Sequence, residues 1–264
     1  MSNDTQTQPR HQHEPSPAEP GPARWDLRSH LRLWPVAAAT LTLDLWTKHW
    51  AFTHLAAGSS SQGMVIVPHI MTFRRSLNAG ALFGLGKGLT PVFITASIVA
   101  LLFVFFLFIH SGRDRRSLHL ALGLVLAGAL GNLYDRAFAI ADIVRYTVDG
   151  RTRMEACRVI GWNDSGVAIG TWPDGGPPQQ TIPRQLQPRI HQQGVVRDFI
   201  KMEPRFTVAG VTIEVWPWVF NVADMLLVAG VGLLLLNFWW DRKAEKAARL
   251  APQAGQQAEP KPAS

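Results

Sequence analysis

The chain has 264 residues, with 26 Lys+Arg against 19 Asp+Glu, nine histidines and one cysteine. A single cysteine, Cys157, excludes an intramolecular disulfide, and neither CxxC nor HExxH spacing occurs, so no metal is expected. The mean hydropathy of +0.05 conceals an uneven chain, in which long apolar runs alternate with polar segments that dilute them.

Residues 1–24 are rich in Pro, Gln and Ala and read as a disordered tail, with His11 and His13 solvated. The first apolar run, 34–52, contains Asp44 and Lys48; with no h-region ahead of it, it reads as an uncleaved signal-anchor. Next come two expected short strands, Val65–Val67 and Ile70–Arg74, broken at Pro68. Gly80, Gly84, Gly86 and Gly88 then permit tight backbone. Leu89–Ile109 is a charge-free run of 21 residues, enough to cross a hydrocarbon core of ~30 Å. Leu118–Tyr134 is a third uncharged run, and a span over 118–135 is expected. The segment from about 137 to 215 is full of turn signals, at Asp149-Gly150, Asn163-Asp164 and Asp174-Gly175-Gly176. Short β-hairpins are expected there, and no domain of recognisable type. A fourth span, 217–240, carries Asp224, and 250–264 reads as a second disordered tail.

The fold expected from these runs is an all-α polytopic membrane protein, with a four-span domain over 25–249 and a small external β element. Its basic residues sit at Arg24, Arg28 and Arg32, at Arg113, Arg115 and Arg116, and at Arg242, Lys243, Lys246 and Arg249. With four spans these clusters share one side, which the positive-inside rule makes cytoplasmic, together with both termini. Their placement suits topology and contact with anionic membrane lipids, and argues against nucleic acid.

On this topology Asp44, Lys48, Asn78, Asn132, Asp135, Arg136, Asn221 and Asp224 all fall near the outer leaflet, and the inner halves of the spans read as apolar. Asp44 and Lys48, four residues apart, share a helix face and can neutralise each other. Asp224 has no Lys or Arg within a turn of its own helix. An ionised Asp at the centre of a lipid-facing helix costs roughly 2.5–3.5 kcal/mol, so a partner or a chemical role is required. Asp198, in "GVVRDFI", is the other carboxylate returning to the membrane surface. Two carboxylates in a low-dielectric cleft share a proton, which is what an aspartyl protease needs. A chance pairing of a loop and a helix aspartate is the plainer alternative. Interhelical hydrogen bonding alone would be a purely structural use of the others.

In order, "DLWTK" (Asp44–Lys48), "NAGALFG" (Asn78–Gly84), "GNLYDR" (Gly131–Arg136), "GVVRDF" (Gly194–Phe199) and "FNVAD" (Phe220–Asp224) resemble the bacterial lipoprotein signal peptidase family, signal peptidase II, over roughly Trp34 to Trp240. The resemblance implies an aspartic endopeptidase of the bacterial inner membrane that cleaves diacylglyceryl-prolipoproteins before the modified cysteine. It implies Asp198 and Asp224 as the catalytic dyad. Asn78, Gly80, Asn132, Arg136 and Asn221 match positions around the substrate, and Asp44, Lys48 and Asp135 positions that support the site. A monomer without cofactor, blocked by globomycin-type inhibitors, with a β-cradle over the membrane, would follow. The chain departs from the family pattern in one place. Asp135 and Asp198 are 63 residues apart, far more than in the family, so an extracytoplasmic insertion lies at about 138–193. Asp142 and Asp135 are therefore alternatives for the first dyad member. The 26 residues from Asp198 to Asp224 also exceed the usual separation. Two rival readings are a transporter relaying through Asp44, Lys48 and Asp224, and a serine peptidase using Ser76 and Lys87.

Overall fold

Four helices carry the apolar runs: α1 (Leu27–His54), α2 (Thr90–Ile109), α3 (Arg116–Phe138) and α4 (Val222–Leu250). This computed structural model describes residues 21–55, 63–80, 90–208 and 211–250. Gly84, Gly86, Gly88 and Lys87 lie outside them, as do the tails at 1–20 and 251–264. Of the tail expected at 1–24, Gly21 to Arg24 are ordered against the α2–α3 link: Ala23 N–H donates to the Ser111 carbonyl at 2.9 Å and Arg113 N–H to that of Gly21 at 3.0 Å.

The central helix is α3, because 67% of its apolar stretch is buried in the protein against 11% for α2, whose Val99, Leu102, Phe103 and Phe106 face outward. Three helices, Pro91–Ile109, Arg116–Phe138 and Val222–Arg249, are long and apolar enough to cross a membrane. The fourth expected span does not reach that standard: in α1, Asp44, Lys48 and several Thr, Trp and His residues lower the hydropathy. The core between the helices is built from Leu33, Val104, Leu122, Leu126 and Leu234. Backbones approach closely where residues are small. A Cβ on Gly131 would stand 2.3 Å from Asp44 Oδ2, so only glycine lets α1 and α3 meet at that carboxylate.

The expectation of an all-α protein is wrong. Eleven strands occur among the described residues: β1 (Met64–Val67), β2 (Met71–Asn78), β3 (Ile140–Val148), β4 (Arg151–Asn163), β5 (Gly166–Thr171), β6 (Gly175–Pro183), β7 (Arg189–Gly194), β8 (Val196–Met202), β9 (Arg205–Val208), β10 (Val211–Glu214) and β11 (Val219–Phe220). They form three antiparallel sheets, ordered β1-β2-β8-β11, β10-β9 and β6-β5-β4-β3-β7. Counting apolar runs cannot see such strands, because "RTRMEACRVIGWN" of β4 interleaves charges with the residues it buries.

The five-stranded sheet is a closed excursion from the bundle. β3 leaves α3 and β7 returns beside it, paired from Ile140↔Gly194 to Arg145↔Arg189, while Val195 N–H donates to the Ala139 carbonyl at 2.9 Å. Removing the 55 residues Ile140–Gly194 shortens the separation of Asp135 and Asp198 from 63 positions to eight. The sheet carries its own core of Val144, Tyr146, Cys157, Val167, Ile169 and Ile182. Its turns fall at the expected signals. Asp149 (φ 50°) and Gly150 (φ 72°) make the two-residue link of β3 to β4, a geometry that asks for positive φ at both positions.

Candidate active site

β8 crosses the open end of the bundle, hydrogen-bonded between β2 and β11, and this brings Asp198 to the N-terminus of α4. Asn221 stands immediately before that helix and Asp224 in its first turn. The two cap each other. Asn221 N–H donates to Asp224 Oδ2 at 3.1 Å, and Asp224 N–H donates to Asn221 Oδ1 at 3.1 Å. The carboxylate in an apolar helix is thus partly explained: it occupies the first turn, where free N–H groups and the helix dipole favour negative charge.

Asn221 also reaches the other carboxylate. Its Nδ2 donates to Asp198 Oδ1 at 2.6 Å and to Asn132 Oδ1 at 3.2 Å, while Asn132 Nδ2 donates to Asp224 Oδ1 at 2.8 Å. Asp198 and Asp224 are therefore joined through two amide side chains. Neither makes an ion pair with Lys or Arg among the described residues. Asp198 is 2% exposed, and burial, followed by the charge of Asp224, pushes its carboxyl well above the usual carboxylate range. Hydrogen bonds from Asn221 and Asn78 and the charge of Lys48 pull the other way without prevailing.

Behind this pair lies a second layer that is electrically closed. Lys48 Nζ lies 2.8 Å from Asp44 Oδ2, 3.4 Å from Asp135 Oδ2 and 3.2 Å from Asn132 Oδ1, with Lys48, Asp44 and Asp135 all fully buried. Asp44 Oδ1 accepts the Ala223 N–H at 2.7 Å, which ties α1 to the start of α4. Asp135 accepts Arg197 Nε at 2.9 Å and NH2 at 2.6 Å on Oδ1, and the Arg197 N–H at 2.9 Å on Oδ2. Arg197 was not singled out from the sequence; its place beside Asp198 in "VVRDFI" was the available signal.

The remaining sequence-derived residues line a cavity of about 320 Å³ between α2, α3 and α4, bounded by Asn78, Gly80, Phe93, Asn132, Arg136 and Asp224. Gly80 takes φ 85° as its N–H bonds Asn78 Oδ1 at 3.0 Å. The Arg136 guanidinium lies 5.1 Å from the Phe93 ring centroid, with Asp198 and Asp224 among its charged neighbours. On its other side Asp224 borders an apolar cavity of about 530 Å³ lined by Val215, Trp216, Met225 and Val228. Asp142 is elsewhere: on β3, accepting Val159 N–H at 2.9 Å and Gln192 Nε2 at 3.3 Å. Ser76 is the cross-strand partner of Asp198 and lines a different cavity. Among the described residues no group of His, Cys, Asp and Glu is arranged to hold a metal ion.

The halves of the helices remote from Asp198, expected as the inner ones, are not wholly apolar, contrary to expectation. Ser111 Oγ and His119 Nε2 are 2.9 Å apart, and Ser117 Oγ donates to Asn237 Oδ1 at 2.6 Å, at the end of the bundle remote from Asp198. At that end the basic clusters also meet, through Arg32 NH1 to the Arg113 carbonyl (2.9 Å) and Arg115 with Asp241.

The family described as signal peptidase (SPase) II matches residues 36–240. Proteins named lipoprotein signal peptidase are similar: that of Clostridium novyi is 31% identical over 109 residues, 41% of this chain and 68% of its own. That of Desulfitobacterium hafniense is 28% identical over 186 residues (70% and 80%), and that of Rhodopirellula baltica 26% over 229 residues (86% and 80%). Among solved structures, a bacterial membrane enzyme determined by the in meso method superposes with TM-score 0.50 at 20% identity, over 90% of this chain and 96% of that one, a likeness of fold alone.

Proposed function

This chain belongs to the signal peptidase II family, and on that premise we propose that it removes the signal peptide of diacylglyceryl-prolipoproteins, cutting before the lipidated cysteine. Asp198 and Asp224 are the catalytic pair in this reading. The observation that carries it is that these two carboxylates meet through Asn221 and Asn132 with only amides to satisfy them. Asp135 is a poor candidate because both its oxygens are bound by Arg197 and one also by Lys48, and Asp142 because it is engaged within the inserted sheet.

The pair holds one proton, on the more deeply buried Asp198. Asp224 takes a proton from a water that attacks the scissile carbonyl, while Asp198 gives its proton to the carbonyl oxygen. The resulting tetrahedral diol collapses as the proton held by Asp224 passes to the leaving amine and Asp198 recovers its own. Arg136 and Asn78, on the cavity that borders Asp224, orient the peptide. The apolar cavity beside Val228 suits an acyl chain, which fixes the cysteine at one depth and supplies positioning.

The basic end of the bundle lies in the cytoplasm with both termini, and the aspartate end at the outer face of the inner membrane. Cleavage of a synthetic diacylated prolipoprotein in membranes tests the reading. Wild type cleaves and is blocked by globomycin, whereas Asp198→Asn and Asp224→Asn insert normally and do not cleave. Full activity in either variant overturns the assignment.

A further inference from the structure

The inserted sheet meets the catalytic-side sheet around a cavity of about 300 Å³, walled by Phe52, Arg75, Ser76, Glu155, Trp172 and Gln180. Its wall is fixed on one side by Trp172, whose ring packs edge-on to Phe52 at 5.8 Å and whose Nε1 donates to the Ile140 carbonyl at 2.7 Å. Arg75 lies with its guanidinium 5.7 Å from the Phe52 ring centroid, and its buried Nε finds no acceptor among the described residues. Glu155 is engaged by the Tyr146 hydroxyl. A buried N–H without an acceptor is costly, so this donor is suited to a carbonyl brought by a ligand.

Position identifies that ligand. Ser76, in the wall, is the cross-strand partner of Asp198, and such pairs stand ~5 Å apart. An extended peptide advances ~3.3 Å per residue, so a chain cleaved at Asp198 and Asp224 reaches the cavity within about three or four residues. The lining of Arg, Glu, Gln and Ser differs in kind from the apolar cavity beside Val228, and fits polypeptide rather than an acyl chain.

We propose that this cavity binds the mature part of the substrate, the few residues that follow the lipidated cysteine, as an extended segment whose main-chain carbonyl accepts from Arg75 Nε. The inserted sheet is then a substrate-reading element, since β4, β5 and β6 supply more than half of the walls. This rests on the signal peptidase reading above.

The test uses the full chain in lipid nanodiscs and two diacylated substrates with the same signal peptide. One ends at the cysteine amide and the other continues for about six polar residues. Wild type favours the longer substrate in kcat/KM by on the order of tenfold, through KM. Arg75→Gln removes that preference, and so does Arg75→Lys, which keeps the charge but lacks the Nε–H. Gln180→Ala reduces it and serves if the Arg75 variants do not fold, which thermal unfolding reports. Equal use of both substrates by wild type, or a preference that survives in every folded variant, overturns the proposal. Cleavage of neither substrate by wild type removes the peptidase reading itself, and the proposal with it.

Discussion

Two groups of acids lie a few residues apart at the open end of the bundle, and their surroundings differ in one respect. Asp44 and Asp135 are each bound by a cation, through Lys48 and Arg197, and those four side chains sum to zero charge. Asp198 and Asp224 are bound by Asn132 and Asn221, which carry hydrogen bonds but no charge. A carboxylate neutralised in place by a cation is a structural part. One satisfied only by amides has no counter-charge beside it. The same residue type, at similar depth, thus serves two ends.

The largest effect expected from this contrast is on turnover. Asp224→Asn or Asp198→Asn removes the proton exchange and lowers kcat by on the order of 10³-fold or more, with the protein still inserted. In the neutralised layer the loss should instead be of stability. Asp135→Asn leaves Lys48 and Arg197 short of a counter-charge, and breaking a buried pair in this way costs about 3–5 kcal/mol. Thermal unfolding in detergent separates the two groups: a stable, inactive Asp135→Asn protein would erase the distinction.

The pairing of these groups was legible only in part. The motif residues and their convergence could be read, because helix spacing put Asp44 with Lys48 and the returning segment carried one carboxylate toward Asp224. The reach of Arg197 across to Asp135 depends on β8 lying beside the end of α3, and strand order is not written in local pattern. The inserted sheet was legible only as short hairpins, for a similar reason. Its turns announce themselves, but five strands that bury alternate or mixed faces produce no apolar run, and their pairing is non-local. The same counting leaves α1 short of the hydropathy of the other three long helices, because it carries the Asp44–Lys48 pair that is turned onto α3.

A smaller perturbation tests how tightly the neutral layer is built. Gly131→Ala places a methyl 2.3 Å from Asp44 Oδ2 and 3.3 Å from the Ala223 Cβ. Overpacking of this kind costs about 1–3 kcal/mol. Since Asp44 also holds the Ala223 N–H, the start of α4 should shift and activity should fall with stability.

Proton affinity gives a further separation. The carboxyl of Asp198 is raised in the folded protein, so between the ordinary carboxylate range, ~4, and its raised value the folded state keeps a proton that the unfolded chain has released. Through this group stability falls as pH rises across that window. Asp198→Asn removes the effect, so the variant gains on wild type in unfolding midpoint from pH ~4 upward. A constant difference across pH would mean that Asp198 is not held protonated.

The mildest prediction asks whether a raised proton affinity alone marks a reactive group, and Cys157 says that it does not. Its thiol is pushed up to about 12 by burial first and then by the charges of Asp142 and Glu155, within the core of the inserted sheet. Its Sγ donates to the Asp142 carbonyl at 3.5 Å, a main-chain partner of fixed charge. At neutral pH the thiolate is scarce, so maleimide should label Cys157 slowly in the folded protein and fully after denaturation. Fast labelling of the folded form would show that the sheet opens around Cys157. Slow labelling leaves burial and neighbouring carboxylates shared by Cys157 and Asp198, and the link to Asp224 through Asn221 and Asn132 as what sets the aspartate apart.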